Sequence, residues 1–118
     1  MPDMVTEPFR VIAQPGSREG LHILVLKGSF TSSSSPLFND AVVGVAAPRL
    51  IVDLSQVPMM DSVAIGALVR AFVSCHKSGR KLALVGMNHR VQNVLHITGI
   101  APLFDSYETV AEAEEALG

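Results

Sequence analysis

Asp61 and Ser62 are the pair whose types and spacing offer chemistry. They end the loop of the run LIVDLSQVPMMDSVAIGAL, Leu50 to Leu68, in which an apolar strand-like segment leads past Pro58 into an amphipathic helix. The first amides of a helix lack intrahelical partners and carry the positive end of its dipole, so this position favours negative charge. A hydroxyl here has two uses. It can cap the helix, a task that Asp61 could do equally well, or it can accept a phosphoryl group. A phosphate would add about −1.5 to −2 charges at pH 7. The helix start tolerates that charge, but a partner docked on Met60, Val63 and the helix start would meet a bulky dianion in an apolar contact. Met59 and Met60 precede the pair. Adjacent residues entering a helix point in different directions, so one of them is expected at the surface as an adaptable contact; the alternative is a pair of core gap fillers.

Other chemistries find little support. His89 and His96 lie about two helical turns apart, wider than the usual ligand pair on a helix, with no Cys or acid to complete a set, so no metal and no cofactor are expected. There is no phosphate-binding glycine loop or dinucleotide fingerprint. No G-x-S-x-G elbow surrounds Ser62, and no histidine partner for it is evident in the sequence. An enzyme is therefore not expected. The single cysteine, Cys75, falls on the apolar side of the helix and reads as packing.

The chain has 118 residues, 48% of them apolar, and a net charge of −2, which fits one domain spanning 1–118 with its core at about 9–117. Without a basic patch there is no electrostatic case for nucleic acid. No apolar stretch is long enough to insert in a membrane. Met1-Pro2-Asp3-Met4 lacks the basic and apolar regions of a signal peptide, so a cytoplasmic location is expected. Oligomeric state is open.

The elements that must hold Asp61 and Ser62 follow from pattern. Phe9–Gln14 and Leu21–Lys27 read as strands of an antiparallel hairpin around a Pro15–Gly20 turn. The hydroxyl run Thr31–Ser35 precedes a helix with Ser35 as N-cap, Pro36 as first helical residue and Leu37, Ala41 and Val45 at helical spacing; Pro48 closes it. Leu50–Leu54 reads as a central strand. Ile65, Leu68, Val69, Phe72 and Val73 form the stripe of the next helix, which ends at Ser78-Gly79. Lys81–Val85 is a further strand. Asn88 caps a helix carrying Val91, Val94, Leu95 and Ile97, with Gly99 as its terminator. Leu103–Tyr107 reads as an edge strand. Thr109 starts the last helix, through Leu117, with Glu112 at the capping-box position. The order β-β-α-β-α-β-α-β-α predicts an α/β fold whose strands after the hairpin are parallel.

The runs LIVDLSQVPMMDSVAIGALVRA, GRKLALVGMNHRVQNVLHITGI and PLFDSYETVAEAEEAL, in this order after a strand ending at Gly28, resemble the STAS domain of bacterial anti-sigma factor antagonists from about Val11 to Leu117. The resemblance implies a STAS fold, a small mixed sheet of about five strands with about four helices largely on one side. It implies binding to an anti-sigma factor, often a serine kinase of the histidine-kinase-like ATPase superfamily, so that the sigma factor is freed. It further implies phosphorylation at the start of the helix after Asp61. The family's usual acceptor position falls here on Val63, and its following glycine on Ala64, so Ser62 is the phosphoacceptor candidate. An acid common in the family after Gly28 is replaced by Thr31. The docking surface is expected at Thr31, Ser32, Ser33, Met59, Met60, Asp61 and Val63. STAS-like domains also serve anion transporters and lipid-transport machines, and some bind nucleotides; a phosphate held by the free amides near Ser62 is the alternative expectation.

Overall fold

The computed structural model describes residues 8–117. Met1–Met4, on which the signal-peptide expectation rests, lies outside the described residues. The strands are β1 (Arg10–Pro15), β2 (Leu21–Lys27), β3 (Arg49–Gln56), β4 (Lys81–Val85) and β5 (Asp105–Tyr107). The helices are α1 (Ser35–Gly44), α2 (Ser62–Lys77), α3 (His89–Ile97) and α4 (Val110–Leu117). The strands form one sheet in chain order. β1 runs antiparallel to β2, with Arg10 opposite Lys27 and Pro15 opposite His22. The pairs β2–β3, β3–β4 and β4–β5 are parallel.

β3 is apolar throughout its middle because both of its faces are covered. Leu50, Val52 and Leu54 join Leu24, Leu26, Leu82 and Leu84 in a core shared with α1, α2 and α3. Ile51 turns to the other face, where Ile23, Val25, Ala83 and Val85 meet Ala113 and Leu117 of α4. The expected one-sided placement of helices therefore holds for three of the four. α4 is tied to the hairpin turn through Glu114, whose carboxylate accepts from Ser17 N–H (3.0 Å) and Ser17 Oγ (2.8 Å). The same two bonds hold the Glu114 carboxyl below the usual carboxylate range. At the start of α4, Glu112 N–H donates to Thr109 Oγ1 while Glu112 Oε1 accepts from the Glu108 amide, one residue earlier than a standard capping box.

Several expectations are corrected. The N-cap of α1 is Ser34, not Ser35. The chain already winds at Thr31, whose carbonyl accepts from both the Ser34 and Ser35 amides. The fully buried stripe of α1 is Ser35, Phe38 and Val42; Ala41 and Val45 pack half-buried beside it, and of the expected three Leu37 alone points away. Phe38 buries more surface than Leu37 and packs edge-on against Phe30, whose ring centroid is 5.1 Å away. Leu37 is left 51% exposed. α1 ends at Gly44, before Pro48. In α2 the expected Ile65 and Leu68 are buried and Val69 and Phe72 pack half-buried against the core; Ala64, Ala67, Ala71 and Cys75 complete the face, and of the expected stripe only Val73 faces outward. In α3, Val91 and Leu95 are buried and Ile97 is 75% exposed. Ala101–Leu103 is a 3-10 turn, so β5 starts at Asp105 rather than Leu103.

Candidate functional site

The parallel strands end where two loops meet, and that edge is where open α/β sheets place their functional groups. The loop after β2 and the loop after β3 are joined by backbone hydrogen bonds. Gly28 N–H donates to Gln56 O (3.0 Å), Phe30 N–H to Met59 O (3.0 Å) and Asp61 N–H to Phe30 O (3.2 Å). Phe30 and Met60 thus form an isolated parallel bridge beyond the sheet proper. A third loop closes the group: Asn88 caps α3 by accepting from Val91 N–H (2.8 Å), and its Nδ2 donates to the carbonyls of Val57 (3.3 Å) and Pro58 (3.2 Å). The sequence shows Asn88 as a cap; its grip on the loop before Met59 has no local signal. At Gly86 the backbone takes φ +74°, and an added Cβ would lie 2.8 Å from Ser55 Cβ, so this crossing requires glycine.

Asp61 is the N-cap of α2. Its Oδ1 accepts from Ala64 N–H (2.9 Å), and its Oδ2 accepts from Ser32 N–H (3.0 Å) in the loop after β2. One carboxylate therefore ends a helix and fixes a neighbouring loop. The Ala64 amide, helped by those of Ser32 and Val63, holds the Asp61 carboxyl below its ordinary value against a smaller opposing effect of burial.

Because Asp61 takes the capping role, Ser62 does not have to. Ser62 is the first residue of α2, it is exposed, and its hydroxyl takes no part in the side-chain hydrogen bonds that join the loops among the described residues. Val63 beside it is 46% exposed. Across the junction, Ser32 and Ser33 are exposed and Thr31 is half-buried. Thr31 Oγ1 lies 3.1 Å from Ser33 Oγ and 3.4 Å from Ser34 Oγ. Ser34 Oγ donates to Ser29 O (2.9 Å) and Ser35 Oγ to Thr31 O (2.9 Å), so the hydroxyl run closes on itself as a preformed turn. Thr31, Ser32, Asp61, Ser62 and Val63 are thus brought to one edge. Met59 is half-buried. Met60 departs from the expected surface: it is 5% exposed, and its side chain belongs to the core beneath the loops.

The other chemistry-bearing residues lie apart. Cys75 is buried against the sheet, and burial pushes its thiol upward, as suits packing. No cluster of His, Cys, Asp or Glu suited to a metal occurs among the described residues. None of their helices is long and apolar enough to cross a membrane. A groove of about 520 Å³ opens between α3, the 3-10 turn and β5, lined by Met87, Leu95, Phe104, His96 and Tyr107 among others, and it does not include Ser62.

Comparison with known proteins places this arrangement. A Thermotoga neapolitana protein, provisionally named an anti-sigma factor antagonist, is 36% identical over 67 residues, which is 57% of this chain and 59% of the relative's own length. A crystal structure from Thermotoga maritima, with the same provisional name, matches with a TM-score of 0.77 at 26% identity over 92% of each chain. The STAS domain of a SulP transporter from Vibrio cholerae matches with a TM-score of 0.71 at 28% identity, covering 86% of this chain and 84% of that one. Residues 14–113 match the model of the STAS domain, and the chain belongs to that family.

Proposed function

We propose that this domain is an anti-sigma factor antagonist that binds an anti-sigma factor of the serine-kinase, histidine-kinase-like ATPase type, frees the sigma factor, and is switched by phosphorylation of Ser62. It acts as a binding module in the cytoplasm and not as an enzyme. One observation carries the reading: Asp61 caps α2, leaving the Ser62 hydroxyl exposed at a helix start between the half-exposed Val63 and the hydroxyl turn at Thr31–Ser33. The names of the Thermotoga relatives support it. The docking surface comprises Thr31, Ser32, Ser33, Met59, Asp61, Ser62 and Val63, with Met60 supporting it from below. A phosphate on Ser62 is compatible with the helix dipole, so the scaffold survives while the apolar contact at Val63 is lost.

The test is incubation with the cognate anti-sigma kinase and ATP, read by intact mass and by affinity. A gain of one phosphate in the wild type and none in Ser62→Ala supports the reading, as does loss of partner binding in Ser62→Asp. Phosphate on Ser62→Ala removes Ser62 from the account. Wild-type affinity in Ser62→Asp refutes the switch.

The likeness to a transporter STAS domain favours a second reading, a regulatory subunit of a transport complex that holds a nucleotide. Saturable thermal stabilisation of the purified domain by a nucleotide would select this reading over the first.

A further inference from the structure

We infer that Asp61 is a tether between α2 and the 31–35 turn, and that a phosphoryl group on Ser62 releases it. This rests on the reading of Ser62 as a phosphoacceptor and adds what the modification does to the fold. Three observations carry it. The two carboxylate oxygens are divided, Oδ1 on the Ala64 amide of α2 and Oδ2 on the Ser32 amide of the turn. The turn is otherwise complete in itself, through Ser34 Oγ to Ser29 O, Thr31 N–H to Ser34 Oγ and Ser35 Oγ to Thr31 O. Ser62 is the next residue in the chain, the first of α2, and is exposed.

The modification transfers the γ-phosphoryl of a nucleoside triphosphate to Ser62 Oγ. The bond from phosphorus to the departing diphosphate breaks, and the hydroxyl proton passes to a base of the kinase. The product carries three acceptor oxygens and close to two negative charges where Asp61 already holds one. Both anions seek the first amides of α2, and the dianion is the stronger acceptor for them. Repulsion between neighbours turns the Asp61 carboxylate away from its bridging position. Ser32 is exposed, so water takes over its amide and the bond is given up cheaply. The turn then stays anchored at its base, where Phe30 N–H donates to Met59 O, while its tip at Ser32 and Ser33 separates from α2. Phosphorylation thus alters both halves of the docking edge, including the half that carries no phosphate.

The experiment uses the full chain, labelled with ¹⁵N, with phosphoserine installed at position 62 during translation so that no kinase is needed. Amide hydrogen exchange at Ser32 is compared with that of the unmodified protein and of Asp61→Asn, which keeps one acceptor but loses the charge. The expected result is exchange at Ser32 about twofold faster in the phosphoserine protein, the change that loss of about 0.5 kcal/mol of protection produces, with β3 and β4 amides unchanged. An intermediate rate in Asp61→Asn further supports the tether. Unchanged exchange at Ser32 in the phosphoserine protein overturns the inference. Intact mass after treatment with the kinase tests separately whether Ser62 is the acceptor, so either idea can fail alone.

Discussion

Replacing Asp61 by alanine removes two hydrogen bonds with one substitution, and the size of the effect follows from where they go. The bond to Ala64 N–H is an N-cap, and such caps contribute about 1 kcal/mol over alanine. The bond to Ser32 N–H joins an exposed amide that water can satisfy, so it contributes about 0.5 kcal/mol. Asp61→Ala should therefore lower the unfolding free energy by about 1.5 kcal/mol at neutral pH, and Asp61→Asn by about half as much. Urea unfolding followed by far-ultraviolet circular dichroism is the suitable assay, because the chain has no tryptophan and one tyrosine. The transition midpoint should shift with an unchanged slope. The effect also has a pH signature. The Asp61 carboxyl is depressed in the folded state relative to its value of 3.8 in an unfolded chain. Such a group contributes its stability in full above the unfolded value, and that contribution is lost as pH falls through the folded value. The gap between wild type and Asp61→Ala should thus be complete at pH 7 and shrink below about pH 4. A gap under about 0.3 kcal/mol at pH 7, or one equally large at pH 7 and pH 2.5, would refute the capping and tethering role.

Four further outcomes follow from the packing. Ser62→Ala should leave thermal stability within about 0.5 kcal/mol of wild type, since its hydroxyl caps nothing; a loss of about 1 kcal/mol would return the cap to Ser62. Phe38→Ala should cost about 3–5 kcal/mol, whereas Leu37→Ala should cost under about 1 kcal/mol, and equal costs in a denaturant titration would contradict the rotation of α1. Met60→Ala should destabilise the domain by about 2–3 kcal/mol, while Val63→Ala should leave the melting temperature nearly unchanged and weaken partner capture. Gly86→Ala should cost at least about 2 kcal/mol, because it combines a positive φ with a contact on the Ser55 backbone; a calorimetric melt like that of wild type would show that β3 and β4 can spread.

The order of elements was legible because strands and helices here carry strong periodicity, and the caps Asn88 and Thr109 and the terminators Gly79 and Gly99 fall where turn chemistry puts them. The faces of α1 and α2 were less legible. In α2, alanines and a cysteine allow close approach to the sheet, and a search for large apolar residues passes over small ones. In α1 the choice between Leu37 and Phe38 depends on Phe30, which comes from another segment. The helix start at Asp61-Ser62 was visible, but the division of labour between the two was not, since either residue type can cap. What decided it was the Ser32 amide, 29 residues away in sequence, which gives the carboxylate a second partner. Which of Met59 and Met60 turns inward was hidden for a related reason: the bridge that goes with a buried Met60 is made with Phe30, from another segment.

Asp61 and Asn88 share a property with a consequence of its own. Each ends a helix with one side-chain atom and holds a separate loop with another. The stability of the first turns of α2 and α3 is therefore thermodynamically linked to the spacing of the three loops. A ligand that favours the tethered spacing stiffens both helix starts, and anything that frays either start weakens that ligand by the same factor. Hydrogen exchange at Ala64 and Val91, two amides that no partner need touch, would then report occupancy of the edge above them.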